Sequence, residues 1–363
     1  MNKKVLTIIV ITIFVIAGVA FGLLKRSTNI TNQSQKVVYG VSPFQDTILP
    51  IVPEQQGWYK DEGLDVQLKV LDWGDVMSAV ASGQVDVALQ NFNSFQASAE
   101  SINEKGGKVI FYYAPYIFKG AAIMIRGDAK LKPLSEFLKQ YPNDKERAVL
   151  ETVKQLQGKT IIATKGTEME QIVLSAAAKA ELQPDVNIKI VHAQPSDSLA
   201  AFLRGEGDGF SGGVTERTEA ARHGAIVLIE ASDLNPPTID GFVTTKRFAQ
   251  EHPEVLRKLV RLWFKTIGFM EEDLDKRAQL VTDYLATVGS TKYTTDEYKY
   301  VWFNLHVFFK SPQDVQNSIL NPNGGFYWKK SWDANNEFLI KEKKIKNPIP
   351  TDLFWGEEVQ KEL

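Results

Sequence analysis

Residues 64–90, "LDVQLKVLDWGDVMSAVASGQVDVALQ", lie over residues 186–212, "VNIKIVHAQPSDSLAAFLRGEGDGFSG", without a gap and 122 residues apart. Identity is confined to Asp75 with Asp197, Ala79 with Ala201, Gly83 with Gly205 and Asp86 with Asp208. What recurs is a pattern. Each copy opens on a short apolar run, at 37–41 and at 159–163, and continues through a helical or irregular stretch into an alternating strand. A short helix follows, and Gly-x-x-Asp leads into a third strand. The first copy carries Pro50 and Pro53, so its first helix is expected to be short or irregular. Each copy therefore spells β-α-β-α-β. Helical crossovers between short strands call for a parallel, doubly wound sheet with right-handed connections. Ligands of such sheets sit beyond the carboxyl ends of the strands. Two such edges facing one another make a cleft.

Two apolar, extended segments, "GAAIMIRGD" (120–128) and "DGFVTTKRF" (240–248), read as the crossings between lobes. A pair of crossings lets lobes open and close while few backbone angles change. The chain then divides into 36–122, the first part of lobe one; 123–240, lobe two; and 241–363, a return to lobe one followed by C-terminal helices. Residues 134–157 read as helix on lobe two. From His252-Pro253-Glu254, a helix start signal, the chain reads as mostly amphipathic helix packed on lobe one. "NPNGGFYWKKSW" (321–332) reads as a turn followed by aromatics used in helix packing.

Residues 1–35 read as an export segment. Lys3 and Lys4 precede an apolar run from Val5 to Leu24, and a Ser/Thr/Asn/Gln-rich stretch follows. The run is about long enough to span a bilayer. Gly18-Val19-Ala20 offers a cleavage site, whereas Lys25 and Arg26 resemble the flank of a retained anchor. The expectation is an exported chain in the periplasm or on the outer face of the cytoplasmic membrane, tethered by an uncleaved helix, with cleavage as the alternative. A chain without cysteine has no lipid-modified cysteine anchor, no disulfide framework and no thiolate metal site. A net charge of −2 with interspersed signs offers nucleic acid no basic face. His192, His223, His252 and His306 show no ligand spacing, so no metal and no cofactor is expected. The glycine-rich 205–209 follows a helix and precedes a strand, the reverse of a dinucleotide loop, and reads as a turn.

Candidate ligand residues come from the loops at the predicted edge. Phe44, Trp73, Phe92 and Phe95 fall in or near lobe-one loops, and aromatics there favour an organic ligand with a face to stack. Phe44 and Trp73 are the preferred contacts, with core packing expected for at least one of the four. Gln45, Gln90, Asn91 and Asn93 offer neutral donors and acceptors. Gly166 and Thr167 open a helix whose exposed amides would suit an anion or carboxylate, or Thr167 is simply its N-cap. Lys165 adds a positive charge beside them or is merely solvated. Glu168 would repel an anion held by the same amides. Asp240 either faces the cleft or forms a turn with Gly241.

With loops and crossings in place, the chain resembles substrate-binding proteins of ABC importers, in the group serving nitrate, sulfonates, taurine and the pyrimidine precursor of thiamine. The residues that carry the likeness are "EQQGWYKDEGLDVQL" (54–68), "GDVMSAVASGQVDVAL" (74–89), "GKTIIATKGTEMEQIVLSAAAKAEL" (158–182), "LAAFLRGEGDGF" (199–210) and "TTKRFAQEHPEVLRKLV" (244–260). The resemblance implies an α/β, two-lobed periplasmic binding protein of type II-like plan that closes on a small molecule and docks to a membrane permease and its ATPase. It also implies ligand contacts in the first-strand loop, the loops after the second and third strands, the lobe-two strand–helix turn and the loop after the last lobe-two strand. The chain departs from the group at the last of these, where Gly212-Gly213 replaces bulkier residues, and at Glu168, where anion binders keep a neutral residue. A monomer without catalysis is expected. One rival is an enzyme on the same scaffold, as in fungal relatives of the pyrimidine-precursor branch, although those resemble a cysteine- and histidine-dependent pattern absent here. The other is a membrane-tethered ligand sensor. Glu168 and the aromatic loops tilt the expected ligand towards a neutral or cationic heteroaromatic.

Overall fold

The computed structural model describes residues 34–106, 108–235, 238–288 and 291–363. Lys36–Leu363 form one compact unit. The apolar run from Val5 to Leu24 lies outside the described residues, among which no helix is long and apolar enough to cross a membrane.

The two copies lay down sheets of one plan. In the first lie β1 (Gln35–Val41), β2 (Leu64–Val70), β3 (Val87–Asn91), β4 (Val109–Phe118), β10 (Thr238–Thr245) and β11 (His306–Phe308), in the order β11-β4-β10-β3-β1-β2. The second holds β5 (Ala122–Arg126), β6 (Thr160–Ala163), β7 (Lys189–His192), β8 (Gly209–Gly212) and β9 (Ala225–Glu230), ordered β7-β6-β8-β5-β9. β1 runs parallel to β3, and β6 parallel to β7 and β8, as helical crossovers demand. Both sheets are nevertheless mixed. β10 is antiparallel to β3 and β4, and β5 is antiparallel to β8 and β9. These antiparallel strands are the ones that cross between lobes. Each sheet is thus completed by a strand arriving from the other.

The recurring residues now have physical reasons. Asp86 accepts a hydrogen bond from the Val38 amide at 2.8 Å, and its own amide donates back to the Val38 carbonyl at 2.8 Å. Asp208 repeats this clasp on Thr160, at 2.8 Å through the carboxylate and 2.7 Å through the backbone. The clasp pins the start of each third strand to the first, fixing register where the pairing is shortest. Gly83 and Gly205 both end their helices in the left-handed region, at φ of 73° and 96°, which a side chain resists. Ala79 and Ala201 are buried beneath the short helices.

Several elements differ from the sequence reading. Residues 134–157 form two helices, Leu134–Gln140 and Lys145–Lys154, because Pro142 interrupts the first. Residues 90–93, expected in a loop at the sheet edge, form none: Gln90 and Asn91 finish β3, and the helix Phe92–Glu104 starts at once with Asn91 as its N-cap. Asp240 and Gly241 make no turn. They lie inside β10, at a bulge where the register against β4 shifts between Asp240–Tyr116 and Phe242–Tyr113. A Cβ on Gly241 would stand 2.0 Å from the Tyr113 carbonyl oxygen, so only glycine permits this approach. β4 was not read from the sequence, and β11 interrupts a tail otherwise read as helix. That tail packs on the first sheet, where Trp332 of the helix Trp328–Lys341 meets Phe92 edge-on at 5.0 Å. Such ring pairs add about 0.5–1.5 kcal/mol beyond area burial.

Candidate functional site

Carboxyl ends of strands from both sheets converge on a cavity of about 20 Å³, room for about one water molecule with the lobes in this position. Phe44, Gln45, Asp46, Thr47, Trp73 and Phe118 line it from lobe one, Glu168, Met169, Gly213 and Val214 from lobe two, and Asp240 from β10. Phe44 and Trp73 meet edge-on at 5.7 Å. An adjoining hollow shares these two rings and is bounded by Thr215 and Glu216.

The lobes touch across this cavity. Trp73 Nε1 donates to Glu168 Oε2 at 3.0 Å, and Ser94 Oγ donates to the same oxygen at 3.3 Å. Thr215 Oγ1 donates to Gln45 Oε1 at 3.2 Å and accepts from the Tyr293 hydroxyl at 2.9 Å. The lobes are therefore drawn together in the structure.

Of the residues read from sequence, Phe44, Gln45, Trp73, Glu168, Gly213 and Asp240 are brought together around the cavity. The others lie outside the cavity lining. Phe92 and Phe95 are core, packing against Phe111 at 4.6 and 5.6 Å. Gln90 Oε1 accepts from the Asn91 amide at 2.9 Å, and Asn91 Oδ1 caps Ser94 at 2.8 Å. Asn93 donates to Gln171 across the lobes. Lys165 is exposed and does not line the cavity. Gly212 lies in β8, where a Cβ would strike the Phe210 ring at 2.5 Å.

The expected anion hole at Gly166-Thr167 is already filled by the chain. The Gly166 amide donates to Glu170 Oε2 at 2.8 Å, and Thr167 is the N-cap, its Oγ1 accepting from the Met169 amide at 3.2 Å. The Glu168 amide turns to its own carboxylate. At the start of the helix Val214–Arg222, the Glu216 carboxylate likewise takes the Gly213 amide and its own.

Sequence reasoning missed Asp46 and Glu216. With Glu168 and Asp240 they form an acidic lining in which each residue is at most 5% exposed. Burial raises Asp240 well above the ordinary carboxylate range, and the charges of Asp46 and Glu168 push it further. Burial also raises Glu168, against interactions with the Asn91, Trp73 and Ser94 side chains that hold it down. Glu216 is pushed up to about 7 by burial, with Glu168 adding to the shift. Among the described residues, Asp240 Oδ2 and Glu216 Oε2 have no hydrogen-bond partner. Among the described residues, no group of three His, Cys, Asp or Glu side chains is arranged to hold a metal ion.

Comparison with known proteins agrees with this architecture. The chain is 24% identical over 294 residues, 77% of its length and 78% of the other's, to a protein of Bacillus subtilis (strain 168) named for binding aliphatic sulfonates. Its fold matches the periplasmic aliphatic sulphonate binding protein SsuA from Escherichia coli with a TM-score of 0.63 at 12% identity, over 88% of this chain and 91% of that one. The ligand-binding component of an ABC-type import system from Staphylococcus aureus matches with a TM-score of 0.64 at 16% identity, over 90% and 98%. The fold is that of periplasmic binding proteins. A family model also matches residues 31–283, most of the chain and both copies of the repeat, and this protein therefore belongs to the NMT1-like family.

Proposed function

We propose that the chain is the extracytoplasmic solute-binding component of an ABC import system, capturing a small organic molecule between its lobes and presenting the closed form to a permease. The observation that carries the reading is a cavity enclosed from both sheets, with two chain crossings beside it. A cavity built in this way exists only when the lobes are together, so a ligand that prefers the closed state shifts the lobes towards it. Residues Phe44, Gln45, Trp73, Gly213 and Asp240 are assigned to ligand contact, with Glu168 positioned by Trp73. The sulfonate-binding relatives and the import-system component support the transport role.

The reading places the folded part outside the cytoplasm, held at the outer face of the membrane by the uncleaved 5–24 run. Mass spectrometry of the mature N-terminus checks this, since a chain starting near residue 21 would be a free receptor. The main claim is tested with spin labels on Ser78→Cys in lobe one and Ala200→Cys in lobe two, both exposed sites in a chain with no cysteine of its own. A panel of sulfonates, nitrate, amines and pyrimidines is titrated in. At least one member is expected to shorten the interlobe distance. A single distance unmoved by every compound would sink the receptor reading.

A further inference from the structure

We infer that the ligand is a small organic cation, an ammonium or amidinium group carrying N–H donors on a short apolar or aromatic body, and not an anion. The inference rests on the receptor reading above and specifies its ligand.

Charge placement is the first ground. Asp46 and Asp240 of lobe one and Glu168 of lobe two line the cavity, and Glu216 of lobe two lines the hollow beside it, so closing the lobes brings buried carboxylates together from both sides. Neither the cavity nor the adjoining hollow is lined by a lysine or an arginine. His306 Nε2 lies 3.5 Å from Asp46 Oδ2, but it sits behind the carboxylate, within contact of the Phe118 and Phe308 rings and outside the cavity lining. An arriving sulfonate would meet three acids in the cavity, with Glu216 and Asp72 in the hollow beside it, and no lysine or arginine in either lining. The usual alternative source of anion affinity, free amides at a helix start, is taken up by Glu170, Thr167, Glu168 and Glu216.

Unmet hydrogen bonding is the second ground, independent of the first. Asp240 is 1% exposed and lines the cavity, yet its Oδ2 has no donor among the described residues. Glu216 Oε2 also lacks one, and it lies 3.3 Å from where a Cβ on cavity-lining Gly213 would stand. Buried carboxylate oxygens left without donors are rare because water has been removed and nothing replaces it. A ligand N–H supplies what is missing. The acids do not converge as a metal cage. The rings of Phe44, Trp73 and Phe118 beside them suit an organic cation, which they hold through their negative faces while packing against its carbon body.

Titration calorimetry on the full-length chain tests this with probes matched in body and differing in charge: benzylamine, benzyl alcohol and phenylmethanesulfonate; butylamine, butanol and butanesulfonate; benzamidine; and calcium and zinc chloride. Amines or the amidine are expected to bind, with alcohol and sulfonate of the same body at least roughly 30-fold weaker, the scale for losing one partner of a buried charge pair. Asp240→Asn is expected to weaken the amine by a similar factor while leaving the melting temperature unchanged or higher. A sulfonate or alcohol binding as tightly as its amine, binding by a metal salt alone, or amine binding indifferent to Asp240→Asn would each overturn the cation assignment and leave the receptor standing. If no probe binds, the cation assignment falls, and the interlobe distance measured with the wider panel decides the receptor reading separately.

Discussion

Gly241 shows how narrowly single residues set this cleft. Its backbone passes so close to Tyr113 that a methyl group would overlap the carbonyl oxygen, and the bulge it permits sits directly beside Asp240. Gly241→Ala is expected to lower stability by about 2–3 kcal/mol, the scale of a forced steric shift in a packed core, with urea denaturation as the measure. The matched aspartates give a paired prediction. Asp86→Ala and Asp208→Ala each remove a carboxylate that holds two strands, and each should cost about 1–3 kcal/mol while leaving the other lobe's exchange protection intact. Repetition in the sequence made these positions legible. Asp46 and Glu216 were not legible, because an acid in a turn or a helix's first turn already has a local explanation in the helix dipole. Only the packing of segments distant in sequence, Tyr116 and His306 on Asp46 and Glu168 and Tyr293 on Glu216, shows how deeply they are buried. The same is true of the Gly166 amide, whose partner Glu170 sits one turn along the helix and reads as an ordinary surface acid.

Elements were read well where periodicity was strong and poorly where burial was uniform. β4 escaped because all ten of its residues are buried, leaving no alternation, and because Pro115 inside it argues against a strand. β11 is three residues long and carries almost no pattern. The tail, read only as packing on lobe one, turns out to join the lobes. Beyond the helix Trp328–Lys341, Lys344 Nζ reaches Glu170 Oε1 of lobe two at 2.7 Å, where His192 Nε2 also meets that oxygen at 2.9 Å. Burial alone would raise Glu170, but Lys344 and the Gly166 amide bring it below its ordinary range. Nearby, Asn335 accepts from Gln171 of lobe two at 2.9 Å and donates to Gln96 of lobe one at 2.7 Å. Lys344→Met is expected to cost the closed form about 1–3 kcal/mol. With spin labels on lobes one and two, it should raise the open population without altering a distance measured inside either lobe.

For the molecule as a whole, the acidic lining makes closure sensitive to pH. Glu216 titrates near 7 in the folded chain against an ordinary value of 4.5, so the folded state binds a proton that the unfolded state has released. Its contribution to stability is present in full below about 4.5 and is lost as pH rises through about 7, on the order of 3 kcal/mol at most, since opening the cleft rehydrates the group. Glu168 and Asp240 shift in the same direction. The groups facing Glu216, namely Glu168, Tyr293 and the Gly213 amide, supply no cation to reverse this. The melting temperature of the ligand-free chain should therefore fall between pH 5 and pH 8. A cationic ligand replaces those protons, so its affinity should rise over the same interval, with proton release seen by calorimetry in buffers of different ionisation enthalpy.

The exchange of strands between the sheets also sets an order of assembly. β5 is already synthesised when the second sheet forms, so that sheet has all its strands once residue 230 has emerged. The first sheet begins earlier yet holds a vacant central place between β3 and β4 until residues 238–245 arrive to fill it. The half of the molecule made first is thus obliged to mature last. In nascent chains arrested after residue 230 has emerged, the amides of Ile123 and Ile125 should be protected while those of Ile110 and Phe111, which face β10, exchange.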